Sequence, residues 1–223
     1  MKTSDRDSAA TGQPADTDRA KALSDGVFAI IITLLVLELR VPHTEPGGLL
    51  AGLRGEWSSY LAFVLSFLYV GVLWLNHHAL FRRIHAVTPG LNWINLGILF
   101  GVVIIPFPTA VLAAALAEGD RDDLRTAVTF YALAAAIMSA PWLVAFRYLR
   151  RHSALATPDL PGGYFRTQSL RPLTGLVLYG LAAAIGWFLN PLLGLVGIVI
   201  MIAYHAVTSE GLREGPLGRL MRR

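Results

Sequence analysis

The sequence contains no cysteine and little charge. With no cysteine among its 223 residues, the chain forms no disulfide, binds no metal through thiolates and has no cysteine nucleophile. Charged residues make up 15% of the chain, whereas a soluble domain carries about 25%. Hydrophobic residues make up 54%, which argues against both an ordinary soluble enzyme and a disordered protein.

Catalytic motifs are missing as well. The sequence contains no Gly-x-Ser-x-Gly nucleophile elbow, no His-Glu-x-x-His zinc motif and no glycine-rich phosphate loop. The adjacent His77 and His78 would point about 100° apart on a helix, so they are poorly placed to share one metal ion. We therefore expect no enzyme, no metal site and no cofactor.

Long uncharged runs dominate what is present. A transmembrane helix needs about 20 consecutive, mostly apolar residues, and Asn190-Pro191 is a turn signal that divides the longest run. The runs predict an all-α membrane protein with six transmembrane helices. The predicted spans are 23–39, 57–81, 91–117 with a distortion at Pro106-Phe107-Pro108-Thr109, 126–146, 172–189 and 191–208.

The positive charges lie mostly on one side of this six-helix order. Fifteen of the 19 Lys and Arg residues fall in the two tails, in the loop between helices two and three, or in the loop between helices four and five. The positive-inside rule then predicts a multi-pass cell-membrane protein with both termini in the cytoplasm. Topology also explains the net charge of +4, so no nucleic-acid partner is expected.

Three segments follow from this topology. Residues 1–18 are polar and mixed in charge, which is typical of a disordered tail and not of a signal peptide. Residues 19–209 form the predicted six-helix transmembrane domain. Residues 210–223 are expected to form a basic cytoplasmic tail.

The first predicted helix differs from the others because carboxylates enclose a very short uncharged run. Asp25 and Glu38 bracket 12 residues, or about 18 Å of helix. A lipid-facing helix of that length would draw both carboxylates toward hydrocarbon at a cost of a few kcal/mol each. We therefore expect a helix that is shielded by protein and has its charged ends in aqueous vestibules.

Two functional interpretations of this helix are open at the level of the residues. Four of its residues share one face at helical spacing: Ile30, Thr33, Leu34 and Leu37. Around an axis of several copies they would form a hydrophobic constriction with one ring of hydroxyls. A helix-packing surface is equally compatible with the sequence, because Ile31 and Leu35 on the opposite face are also apolar. The alternative is a proton- or ion-coupled secondary transporter that uses Asp25 and Glu38 as ion sites.

Polar residues at the start of the first helix predict a hydrogen-bond network. Ser24 and Asp25 suit capping of the helix, and Arg19 and Asp25 can join other buried polar groups. The candidate partners lie at the end of the second helix and the start of the third: Asn76, His77, His78, Asn92, Trp93 and Asn95. We interpret this network as structural, with the role of orienting the first helix.

These segments resemble bacterial members of the transmembrane-protein-175 family, the relatives of the lysosomal potassium channel. The family's Arg-x-x-x-Phe-Ser-Asp motif matches Arg19–Asp25, with Leu23 in place of the phenylalanine. Further matches are Trp74–Phe81, Asn92–Leu96 and Pro106–Thr109. Together these matches cover the first three predicted helices in order.

The resemblance implies a potassium-permeable cation channel that conducts passively and lacks the Thr-Val-Gly-Tyr-Gly filter. It implies a homotetramer in which the first helices line a central pore, with lipids and monovalent cations as the other partners. The constriction would be formed by Ile30, Thr33, Leu34 and Leu37. The supporting polar network would be formed by Arg19, Ser24, Asp25, His77 and Trp93.

Overall fold

The computed structural model describes residues 14–209, and within this range the predicted order of long helices is confirmed. A 3-10 turn at Leu35–Glu38 continues the first helix, and another lies at Ser153–Leu155. The α-helices are α1 (Pro14–Leu34), α2 (Leu49–Gly55), α3 (Trp57–Arg82), α4 (Pro89–Ile104), α5 (Pro106–Glu118), α6 (Arg121–Arg151), α7 (Tyr164–Gln168), α8 (Leu170–Phe188) and α9 (Pro191–Thr208).

The helix lengths fit a multi-pass membrane protein. Five segments are long and apolar enough to cross a membrane: Thr17–Glu38, Trp57–Arg82, Pro89–Glu118, Arg121–Arg151 and Tyr164–Phe188. The apolar stretch of α9, Pro191–Val207, is shorter. The count of six spans therefore stays a prediction.

The helix ends differ from the predicted boundaries. α1 begins at Pro14, so residues 14–18, which were predicted to belong to a disordered tail, are helical. Proline favours the first helical position because its φ is already helical and no N–H is lost there. Residues 1–13 and the predicted tail at 210–223 lie outside the described residues.

The predicted distortion of the third long segment is confirmed. Ile105 separates α4 from α5, and Pro106 opens α5. The Thr109 hydroxyl donates to the Ile105 carbonyl at 2.7 Å and lies 2.6 Å from the hydroxyl of Ser66. The Ser66 hydroxyl also lies 3.0 Å from that of Tyr131. A buried hydroxyl cluster therefore joins the break in the helix to α3 and α6.

A tight turn separates α5 from α6. Gly119 adopts a left-handed conformation with φ +73°, which an L side chain rarely adopts. The Asp120 carboxylate then accepts hydrogen bonds from the backbone N–H groups of Asp123 at 2.9 Å and Asp122 at 2.8 Å. These two bonds lower the pKa of Asp120 and cap the start of α6.

α6 is the central helix of the subunit. It packs against α4, α5, α8 and α9, whereas the main partners of α1 are α3 and α4. The inward face of α1 and of the 3-10 turn that continues it is buried, and its residues are Thr17, Ala20, Ser24, Phe28, Ile31 and Leu35. These residues recur every three or four positions and therefore share one face of the helix. The opposite face is uncovered, so α1 lies at the edge of the bundle.

α8 and α9 approach each other closely at two glycines. A Cβ atom added at Gly194 would lie 2.7 Å from the Cα of Gly186 and 2.9 Å from the carbonyl oxygen of Ala182. Both contacts are to backbone, which a side-chain rotation does not relieve. Small residues at helix interfaces permit such approaches in membranes.

We expect Gly194→Ala to lower the free energy of unfolding by about 2 kcal/mol, because overpacking forces the two backbones apart. Denaturant unfolding in detergent micelles measures the change. Gly180→Ala in α8 is the matched control, since no atom lies within 4 Å of its added Cβ. Alanine favours helix over glycine, so this control should be as stable as the parent or more stable. Equal stability of the two variants would show that the close approach is unimportant.

Candidate functional site

The four residues predicted to form a constriction lie on the uncovered face of α1. Ile30 is 58% exposed and Leu37 is 71% exposed, and Thr33 and Leu34 are also exposed. On the other side of the same helix, Phe28 is fully buried. α1 therefore presents an apolar stripe, Ile30–Thr33–Leu34–Leu37, that is exposed on the single chain.

The stripe contains one polar group and one change of helix geometry. The Thr33 hydroxyl donates to the carbonyl oxygen of Ile30 at 2.7 Å, which leaves its oxygen lone pairs as acceptors. Leu37 belongs to the 3-10 turn at Leu35–Glu38, which advances about 120° per residue instead of 100°. The stripe thus combines three residues of the α-helix with one residue of a tighter turn.

Ser24 holds α1 to the neighbouring helices through a buried polar chain. Its hydroxyl donates to the carbonyl oxygen of Ala20 at 2.8 Å and accepts from Nδ2 of Asn95 at 3.0 Å. Oδ1 of Asn95 lies 2.8 Å from Nε2 of His77, so His77 donates there and carries its proton on Nε2. We call Ser24, Asn95 and His77 the α1 anchor.

Aromatic side chains fix the ring of His77 in the anchor. His77 stacks on Phe81 with centroids 4.5 Å apart, and Phe28 of α1 lies 5.4 Å away. Trp142 of α6 meets the ring at its edge at 6.2 Å. The imidazole is 2% exposed. One buried side chain of α3 therefore contacts α1, α4 and α6 together.

Asp25 makes a separate contact nearer the surface. Its Oδ1 accepts a hydrogen bond from Nε1 of Trp74 at 2.9 Å. Both residues are exposed, so this second link between α1 and α3 is outside the buried anchor.

Two predicted members of the network are not part of it within a single chain. Trp93 is 75% exposed, and Arg19 is also exposed. Asn95 follows Trp93 by two residues, or about 200° around the helix, so the inward position of Asn95 turns Trp93 outward. For the same geometric reason Arg19 lies beside the buried Ala20 and faces away from the anchor.

The paired histidines occupy different sides of α3. His77 is buried in the anchor, whereas His78 is exposed with its ring 5.9 Å from that of Trp74. In the described range, 14–209, no three His, Asp or Glu side chains are grouped as a metal site requires. Asp25 and Glu38 stand about 20 Å apart along the helix axis, too far to bind one ion together.

Two contacts of the site were not predicted from the sequence. Phe28 packs on His77, and Trp74 binds Asp25, but neither was predicted as a partner. Phe28 lies one turn after Ser24, and Trp74 lies about one turn before His78. Their spacing of about one helical turn from Ser24 and His78, which were candidates for the network, is the sequence signal that identifies them.

Comparisons with protein families and known proteins agree on one group. The family model described as "Endosomal/lysosomal potassium channel TMEM175" matches residues 19–106. A potassium channel of Streptomyces collinus is 36% identical over 178 residues, which cover 79% of this chain and 85% of that protein. A potassium channel of Chamaesiphon minutus is 41% identical over 150 residues, covering 65% and 69%.

More distant relatives and solved structures extend the comparison. The human endosomal/lysosomal proton channel TMEM175 is 33% identical over 145 residues, which span 60% of this chain and 29% of the human protein. The crystal structure of a lysosomal potassium-selective channel TMEM175 homologue from Chamaesiphon minutus superposes with a TM-score of 0.75 at 32% identity. That match covers 88% of this chain and 99% of the other. The MtTMEM175 structure, at 21% identity and a TM-score of 0.62, shares the fold.

Proposed function

Because the chain belongs to the TMEM175 family, we propose that it forms a potassium-permeable channel in the cell membrane. The observation that carries the proposal is the stripe of α1, whose apolar side chains are exposed on the single chain. Passive conduction needs no chemical step and no cofactor, so the conduction we propose involves the permeant potassium ion alone.

The proposed assembly is a homotetramer of six-span subunits with both termini in the cytoplasm. A closed ring of identical subunits is the ordinary symmetric arrangement for a membrane oligomer. It would bring four copies of the stripe to one axis, where apolar side chains form a barrier that gates by dewetting. Arg19 and Trp93, which are exposed on the single chain, are free to meet neighbouring subunits.

Potassium is the proposed permeant ion, although the relatives are named for two different ions. Those from Streptomyces collinus and Chamaesiphon minutus are named potassium channels, and the human protein is named a proton channel. Within the stripe, Thr33 supplies the polar oxygen that a partly dehydrated cation can meet. Selectivity over sodium should be modest, because the three alkyl side chains offer no oxygen to replace ion hydration.

Reconstitution into liposomes with an outward potassium gradient tests the proposal. We expect a potassium efflux that is driven by the gradient and persists in Asp25→Asn. Unlike the rate of a carrier, its rate should not saturate as the potassium concentration rises. Valinomycin added at the end checks that the vesicles still hold the gradient. Saturable, proton-coupled uptake that Asp25→Asn abolishes would instead establish the secondary transporter. Absence of flux, with a monomer in crosslinking experiments, would refute the channel.

A further inference from the structure

A partly open cavity of about 60 Å³ lies between helices of the subunit, apart from the stripe. Its wall is built by α3, α6, α8 and α9, and residues of α7 complete one end. Its lining residues include Tyr69, Leu73, Asn76, Ala79, Met138 and Trp142, and also the polar or charged Ser139, Gln168, Arg171 and His205. We call this space the Trp142 pocket.

Trp142 and Asn76 each carry a buried polar atom that has no hydrogen-bond partner in the described part of the chain. Nε1 of Trp142 is a donor, and the side chain is only 7% exposed. Oδ1 of Asn76 is an acceptor and is likewise buried. Buried polar groups are almost always paired, and each exception calls for an explanation such as a bound molecule. Trp142 lies on α6 and Asn76 on α3, so an occupant between these helices would pair both atoms by accepting from the donor and donating to the acceptor.

A hydroxyl group meets this requirement, since it has one O–H donor and two acceptor lone pairs. The remaining wall limits the size and nature of the occupant. A water molecule needs about 10–15 Å³ of such space, so the pocket admits about four or five non-hydrogen atoms. Tyr69, Leu73 and Met138 give it an apolar side. Its lining has no carboxylate, and its guanidinium group, that of Arg171, donates to Oε1 of Gln168 and Oγ1 of Thr208.

We propose that the Trp142 pocket is a binding site for small hydroxylated molecules of the short-chain alcohol class. The hydroxyl accepts from Nε1 of Trp142 and donates to Oδ1 of Asn76, and the alkyl tail lies against Leu73 and Met138. Water shares the hydroxyl chemistry and competes for the same two atoms. The alcohol binds more tightly than water because its alkyl tail covers the apolar wall.

The pocket shares a wall with the α1 anchor. Trp142 meets the edge of His77 at 6.2 Å, and Asn76 precedes His77 on α3. An occupant of the pocket therefore touches a side chain that packs directly on the anchor. Binding to the pocket does not depend on ion conduction, so it can be measured whether or not the protein is a channel.

Indole NMR of the full chain in nanodiscs tests the site with 1-propanol as the probe. The five tryptophans each give one ¹⁵N–¹H indole signal, and Trp142→Phe identifies the signal of Trp142. We expect a saturable shift of this signal during titration. The signal of Trp187, which is 44% exposed, should drift linearly and serves as the internal control.

Two variants keep the Trp142 signal and change the pocket. Ala79→Leu fills the cavity and should abolish the saturable shift, whereas Asn76→Leu removes one hydrogen bond and should weaken binding about fivefold. The proposal is overturned if the Trp142 shift is linear, or if it saturates equally in Ala79→Leu. Magnetisation transfer from water to the indole N–H of Trp142 gives a further test. If 1-propanol leaves this transfer unchanged, the pocket is a hydration site alone and the proposal is overturned.

Discussion

Replacing Ile30 with alanine should raise the single-channel potassium conductance about fivefold, which corresponds to a barrier lower by about 1 kcal/mol. Ile30 lies on the exposed face of α1, and its side chain is proposed to narrow the pore at one level. Alanine widens that level and shortens the apolar segment from which water withdraws, so the dewetted barrier falls. Recordings in planar bilayers with symmetric potassium chloride measure the effect.

Ile31→Ala is the matched control for this prediction. It removes the same atoms from the neighbouring position, which is 3% exposed and packs in the core. We expect Ile31→Ala to lower stability and to leave the unitary conductance within about a factor of 1.5, since the pore face is unaltered. An Ile30→Ala conductance equal to that of the parent, or an equal rise in Ile31→Ala, would remove Ile30 from the proposed constriction.

His77→Ala should cost about 3 kcal/mol of unfolding free energy, the largest loss expected from a substitution in the α1 anchor. The change opens a cavity between Phe28, Phe81 and Trp142. It also leaves Oδ1 of Asn95 without its donor, which adds to the penalty. Equilibrium unfolding in detergent micelles gives the number.

His78→Ala is the control, because it removes the same side chain one residue further along α3. His78 is exposed, so the expected loss is below about 0.5 kcal/mol. His77→Gln provides a second comparison, since a glutamine amide can still donate to Asn95 and should recover part of the loss. If His77→Ala and His78→Ala are equally stable, the buried anchor does not hold the fold together.

The long helices could be predicted because charge and proline mark their limits. The run 191–208 coincides with α9, whose N-cap Asn190 accepts from the N–H of Leu192 at 2.8 Å. The run 126–146 is shorter than α6, Arg121–Arg151, because a charged residue ends an apolar run without ending a helix. α2 and α7 were missed because helices of seven and five residues are too short for a recognisable period.

The site could be predicted only in part, because periodicity orients a helix without naming its neighbour. Ser24, Asn95 and His77 were all candidates, and the structure joins them. Trp93 was grouped with them by proximity in sequence, although its direction depends on which face of α4 is turned inward. That choice is made by packing against α1 and α6, which the residues of α4 alone do not reveal.

The two faces of α1 are under different constraints, one from folding of the subunit and one from its proposed function. Changes among Ser24, Phe28, Ile31 and Leu35 alter whether the subunit folds, since these side chains are buried within it. Changes among the stripe residues fall on side chains that are exposed on the single chain. In the proposed channel, ion permeation can therefore diverge between relatives, or be altered in the laboratory, through the stripe while the scaffold stays the same.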